Sequence, residues 1–240
     1  MSSRRHTGVD ALRGTAMLWM TAYHFAFDLN QAGLIRQDFY RDPVWTWQRT
    51  CILSLFLLCA GAGQALAAVQ GQSWPQFWRR WGQIAGCALL VSAGSALMFP
   101  KSYIYFGVLH GMAVMLLIAR LTSHWGAWLW PAGGLVIATK FIAARAMDAG
   151  AISTFFNEKP LNWLGLVNTK PITEDYVPLV PWLGVLWWGM AGMQWWLRRA
   201  PSWQHGEGRL WRALAVLGRW SLSYYMLHQP VLLGLLWLLA

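Results

Sequence analysis

Seven stretches of this chain are apolar around nearly their whole circumference. Each is long enough, or nearly so, to cross a hydrocarbon layer about 30 Å thick. A helix at the edge of a soluble core keeps one apolar stripe and one polar face; these stretches have no broad polar face. The pattern predicts helices at about 11–29, 49–69, 82–99, 103–121, 127–144, 179–197 and from Ser221 onward. Between them, 30–48 is polar, 70–81 is a loop with Pro75, Arg79 and Arg80, and Pro100 ends the third helix. The longest polar connection is 147–177, and 198–212 is basic. Residues 213–240 are too long for one span and contain Gly218 and Arg219, so an amphipathic lead-in is expected before the last helix. The fold class is all-α: a polytopic transmembrane bundle of about seven helices, forming one domain over 1–240.

Composition agrees. Hydrophobic residues make up 57% and charged residues 12%, about half the charged share of a soluble domain. The 19 tryptophans suit the headgroup zone, where an indole has apolar surroundings and a partner for its N–H. Residues 1–10 are polar. The apolar segment that follows carries Arg13, His24 and Asp28, with no small-residue cleavage site, so it is expected to stay as a membrane helix. Cys51, Cys59 and Cys87 lie in apolar segments without CxxC spacing; buried free thiols are expected, and no disulfide or zinc site. Cys59-Ala-Gly-Ala-Gly63 lacks the third glycine and the preceding strand of a nucleotide loop. It reads as small residues that let two helices approach.

Charge orients the bundle. With the N-terminus in the cytoplasm, eleven of the 19 lysines and arginines fall on that side and eight opposite. The positive-inside rule therefore favours a cytoplasmic N-terminus and an outside C-terminus. The net charge of +10 implies contact with anionic lipid at the cytoplasmic face. No basic domain stands clear of the bilayer, so nucleic acid is not an expected partner.

Ionisable side chains inside a membrane are costly and tend to face the bundle interior. Asp10, Gly14, Met17, Thr21, His24 and Asp28 recur every three or four residues and share one face of the first helix. At that spacing Asp28 can reach His24 and orient its imidazole, as for a general base; packing of the histidine into the bundle is the plainer alternative. His110 stands between Gly107 and Gly111, which leave space for a ligand or for a close helix contact. In the last helix, Tyr224-Tyr-Met-Leu-His228-Gln229-Pro230 ends on a proline that cannot bond the Met226 carbonyl. A break or bend beside His228 and Gln229 is expected, lining a cavity or simply kinking the helix. Arg13 and Asp10 can pair, or Arg13 can grip a phosphate. His6, His124 and His205 are expected in solvated loops.

Four segments together resemble one family. Arg5-His-Thr-Gly-Val-Asp-Ala-Leu-Arg-Gly14 with Tyr23-His24 is similar to the opening helix of the heparan-alpha-glucosaminide N-acetyltransferase catalytic-domain family. Tyr105-Phe-Gly-Val-Leu-His110, Asp175-Tyr-Val-Pro-Leu-Val-Pro-Trp182 and Gly218–Pro230 look like later segments of it. The resemblance runs from end to end and points to the small bacterial members. It implies a multi-pass protein of the bacterial cytoplasmic membrane that moves an acetyl or other acyl group from cytoplasmic acyl-CoA to an acceptor outside, such as a sugar or amino sugar. Catalytic roles would fall to His24, Asp28, His110 and His228, and acyl-CoA binding to Asp10, Arg13, Tyr224 and Gln229. Partners would be the lipid bilayer, acetyl-CoA as co-substrate and the carbohydrate acceptor, with a homodimer left open. The lysosomal members carry asparagine where this chain has His24. Their catalytic histidine lies after helix 1, where this chain has none between His24 and His110. The loop 147–177, with Glu158, Glu174 and Asp175, is a candidate acceptor-facing element or a solvated connector. Two other classes stay open on the residues alone: a transporter or flippase of a small anionic solute, whose proton relays use similar groups, and a haem protein ligated by membrane histidines.

Overall fold

The computed structural model describes residues 6–147, 152–199 and 208–239. Among these residues the regular secondary structure is all helical, apart from one isolated parallel bridge between Phe106 and Tyr176. In chain order the helices are α1 (Thr7–Gln31), α2 (Pro43–Val69), α3 (Trp74–Met98), α4 (Val108–Leu121), α5 (Leu129–Met147), α6 (Ile152–Asn157), α7 (Lys159–Asn162), α8 (Leu179–Arg199), α9 (Arg209–Arg219) and α10 (Ser221–Leu239). A 3-10 turn at Ser123–Trp128 leads into α5.

Three segments, Pro43–Val69, Trp74–Met98 and Ser123–Ala143, are both long and apolar enough to cross a membrane. α4 is apolar but has 14 residues, about 21 Å of helix. α1, α8 and α10 have 25, 21 and 19 residues.

α1 begins four residues before its predicted start, at Thr7, and α2 and α3 begin earlier still, both at side-chain caps. α2 starts at Pro43 inside the segment expected to be polar linker. The Asp42 carboxylate accepts the Val44 N–H at 2.8 Å, with proline at the first helical position, where its missing N–H costs nothing. α3 starts at Trp74, inside the expected loop 70–81. Ser73 and Gln76 form a reciprocal capping box there. α4 starts later than predicted, at Val108, because the chain before it runs extended alongside the 174–177 segment: Glu174 N–H bonds the Ser102 carbonyl and Val177 N–H the Phe106 carbonyl. The connection 147–177 holds the short helices α6 and α7. α10 runs unbroken through Pro230, so the expected break at His228 does not occur.

The chain divides into two compact units, Met1–Cys59 with Ser202–Ala240, and Ala60–Pro201. In the first, α9 is the expected amphipathic lead-in, and it packs antiparallel on the first half of α1. A Cβ on Gly218 would lie 1.8 Å from the Asp10 carbonyl oxygen, and one on Gly14 2.0 Å from that of Leu214. Met17, Met20, Tyr23, Phe39 and Ile52 form this unit's core. Phe39, from the 32–42 loop, stacks on Trp45 with centroids 4.1 Å apart. In the second unit Gly61 sits against Leu186, where a Cβ would lie 2.0 Å from the carbonyl oxygen. That is the close helix approach expected of the small residues there. The three cysteines are free; Cys59 is buried and Cys87 half-buried. Cys51 is exposed on the outside of α2 rather than buried, because an apolar segment in a membrane protein turns one face to lipid.

Substitution tests these approaches. Gly218→Ala and Gly61→Ala should each lower the midpoint of thermal unfolding in detergent, at a cost of about 1–3 kcal/mol. Gly86→Ala, with nothing within 4 Å of the added carbon, should not. Equal midpoints for all three would contradict the packing.

Candidate active site

The polar face of α1 meets the polar face of α10. His24 and His228 bring their rings to 5.2 Å between centroids. One turn further on, Gln229 Nε2 donates to both Asp28 carboxylate oxygens, at 2.9 and 3.0 Å. One turn below, the Thr21 hydroxyl lies 2.6 Å from that of Tyr224. On α1 these partners sit on successive turns at Thr21, His24 and Asp28; on α10, which runs in the same direction, Tyr224 lies one turn before His228, and Gln229 is the next residue along.

The pairing differs from the one spacing suggested. Asp28 does not bond His24: its oxygens go across to Gln229, and His24 makes no hydrogen bond among the described residues. The i,i+4 spacing puts both groups on one face, but the amide on α10 offers N–H donors to a carboxylate that is only 5% exposed and meets no cation among the described residues. A buried charge needs such donors.

Hydrogen-bond chemistry fixes the tautomer of His228. Its Nδ1 lies 2.7 Å from the Tyr225 carbonyl oxygen. A carbonyl only accepts, so Nδ1 carries the proton and Nε2 keeps a lone pair. Nε2 is buried and has no partner among the described residues, and the same holds for Gln229 Oε1. The Tyr224 ring lies nearly parallel to that of His228, at 8° and 6.2 Å. Thr21 also bonds the Met17 carbonyl, so the shared proton between Thr21 and Tyr224 comes from the phenol. The site thus presents unpartnered acceptors, a lone pair on an imidazole first among them, beside a held carboxylate and a phenolic donor.

Asp10 and Arg13 lie at the other end of α1, about 21 and 16 Å from His24 along the axis. They pair at 3.0 Å, and Arg13 also reaches the Cys59 carbonyl at 3.4 Å. The internal pair foreseen for them is the one that forms.

His110 belongs to the second unit and is a fully bonded residue. Its Nδ1 accepts the Gly107 N–H at 3.3 Å. Its Nε2 lies 3.0 Å from Ser92 Oγ, which itself donates to the Ile104 carbonyl at 2.6 Å. The ring caps α4. The space beside Gly107 and Gly111 is taken by the 175–177 segment, since a Cβ on Gly107 would lie 2.3 Å from Asp175 Oδ2 and one on Gly111 2.6 Å from the Val177 carbonyl. Asp175 accepts the Val108 N–H at 2.7 Å, and Glu174 accepts from Ser102. Glu158 stands at the N-terminus of α7.

Hydropathy drew no attention to Asn162, the most buried polar residue of this region at 1%. It donates to the Tyr105 hydroxyl at 2.8 Å, and its carbonyl accepts the Tyr176 hydroxyl at 2.5 Å. Burial raises the pKa of both phenols, so they remain donors at neutral pH. His124 is exposed; His6 is the residue before α1 and half-buried; His205 lies outside the described residues.

Comparison with known proteins gives one match. The family described as Heparan-alpha-glucosaminide N-acetyltransferase, catalytic, matches residues 5–230. No curated protein and no solved structure matches the chain.

The Asp28–Gln229 contact has a direct test. Gln229→Leu removes both donors and should cost about 1–3 kcal/mol of stability. Asp28→Asn should be tolerated, because its amide can donate to the unpartnered Gln229 Oε1. Unfolding midpoints measured in one detergent separate the two; a Gln229→Leu protein as stable as wild type would remove Gln229 as the partner.

Proposed function

The chain belongs to the heparan-alpha-glucosaminide N-acetyltransferase catalytic family, a family of membrane acetyltransferases. From that premise we propose that it transfers an acyl group from cytoplasmic acyl-CoA to a sugar or amino-sugar acceptor on the far side of the bacterial cytoplasmic membrane. In this reading α1, α2, α3, α4, α5, α8 and α10 are the seven crossings and the N-terminus is cytoplasmic, as the bias of arginines and lysines favours.

The observation that carries the reading is the buried Nε2 lone pair of His228 beside His24, on facing turns of α1 and α10. Acyl transfer from a thioester needs a base for the acceptor and donors for the oxyanion. His228 Nε2 takes the proton of the acceptor hydroxyl or amine as its oxygen or nitrogen attacks the thioester carbonyl. The Tyr224 hydroxyl turns from Thr21 to the developing oxyanion. Collapse breaks the C–S bond, and the imidazolium returns its proton to the departing thiolate. The Asp28 carboxylate, held by Gln229, stabilises the transient imidazolium. His24 packs against that ring and serves as second base or transient acyl carrier. His110 positions the 103–108 segment. Acyl-CoA carries its phosphates and its thioester at opposite ends of a long arm, so Arg13 at one end of α1 and His24 further along suit the two ends of one molecule.

Loss of radiolabelled acetyl-CoA in membranes containing the protein is the assay. His228→Ala and His24→Ala should each lower turnover by about 100-fold or more while inserting normally. A transporter would leave the thioester intact. Wild-type turnover in a folded His228→Ala and His24→Ala double variant would refute the mechanism.

A further inference from the structure

The three arginines of α9 have no part in that mechanism. Arg209, Arg212, Val216, Arg219 and Trp220 are spaced by three and four residues and share one face of the helix. The opposite side, with Leu214 and the buried Gly218, is pressed onto α1 at backbone distance. All five residues of the outer face are exposed. None of the three guanidinium groups meets a carboxylate among the described residues. Three positive charges within three helical turns, with no counter-charge among the described residues, call for anions.

The apolar residues say which anions. Trp220 is 67% exposed, Val216 45% and the flanking Leu210 73%. A free phosphate or a soluble polyanion would satisfy the guanidinium groups and leave those side chains in water. The headgroup boundary of a bilayer satisfies both, with phosphates for the arginines and acyl chains and glycerol for the indole and the aliphatic groups. A guanidinium also holds a phosphate oxygen pair bidentately.

We propose that the outer face of α9 is a binding surface for anionic phospholipid headgroups, with Arg209, Arg212 and Arg219 on the phosphates and Trp220 at the glycerol level. This goes beyond the acyltransferase reading and stands without it. Because α9 is fixed on α1 through Gly14 and Gly218, the lipid would hold α1 and α9 together at the membrane surface.

The test is native mass spectrometry of the purified full chain titrated with phosphatidylglycerol or phosphatidylcholine. Wild type should prefer phosphatidylglycerol, and rising sodium chloride should weaken that preference. Each basic residue near an anionic surface contributes about five-fold in affinity, so Arg209→Gln with Arg212→Gln and Arg219→Gln should lose on the order of 100-fold. The same positions changed to lysine should keep most of it. Arg36→Gln with Arg41→Gln, on the exposed 32–42 loop, should change nothing. Equal binding of the two lipids, a salt-independent preference, or an unchanged affinity in the glutamine variant would each overturn the proposal. Displacement of phosphatidylglycerol by millimolar inorganic phosphate would also overturn it, by marking a free-anion site. Should the glutamine variant fail to fold, the lysine variant and the salt series decide.

Discussion

The candidate site depends on two backbones being allowed to touch. Gly14 and Gly218 let α9 lie on α1 with no side chain between them, which fixes where the chain turns at Trp220 and α10 begins. From that point the register of α10 along α1 follows from helical geometry: Tyr224 comes level with Thr21 and His228 with His24, and the long Gln229 side chain reaches on to Asp28. A methyl group at either glycine would push the helices apart and lengthen every one of these contacts. Imidazole and amide groups act over hydrogen-bond distances, so an ångström there matters more than any further apolar contact.

Within that register the polar groups are arranged by what burial demands. Asp28 is deeply buried and takes its compensation from a neutral amide, which leaves the amide oxygen without a partner. His228 gives its one proton to a backbone carbonyl and leaves its other nitrogen bare. Unpaired acceptors in an apolar surrounding are expensive, and a protein that keeps them has a use for a donor at that place. The second unit shows the contrast. His110 there has both nitrogens engaged, as a cap for α4, and the neighbouring Asp175 is bonded to the backbone.

Much of this was legible in the residues, and the parts that were not have physical causes. The shared face of Thr21, His24 and Asp28 follows from a spacing of three and four and holds in the structure. The identity of Asp28's partner does not follow, because spacing within one helix carries no information about the helix opposite. The early starts of α2 and α3 were written in Asp42-Pro43 and in Ser73 with Gln76, cap signals that a hydropathy reading passes over because the turns after them are rich in tryptophan, glutamine and arginine. Pro230 was expected to break or bend α10, and α10 is not broken there. The helix tolerates it, since one missing N–H removes a single bond and the carbonyl of Met226 lies in a long, otherwise regular helix.

The first helix of this unit finds its partners in residues 208–239, so the two pieces that make the site are separated by nearly the whole length of the chain. During synthesis α1 is complete about 180 residues before α9 and α10, and Asp28 lacks its amide until they follow. Until then that half-finished helix is open to aggregation and to proteases. Mutations that weaken α9 would then act first on yield, well before any effect on turnover is seen.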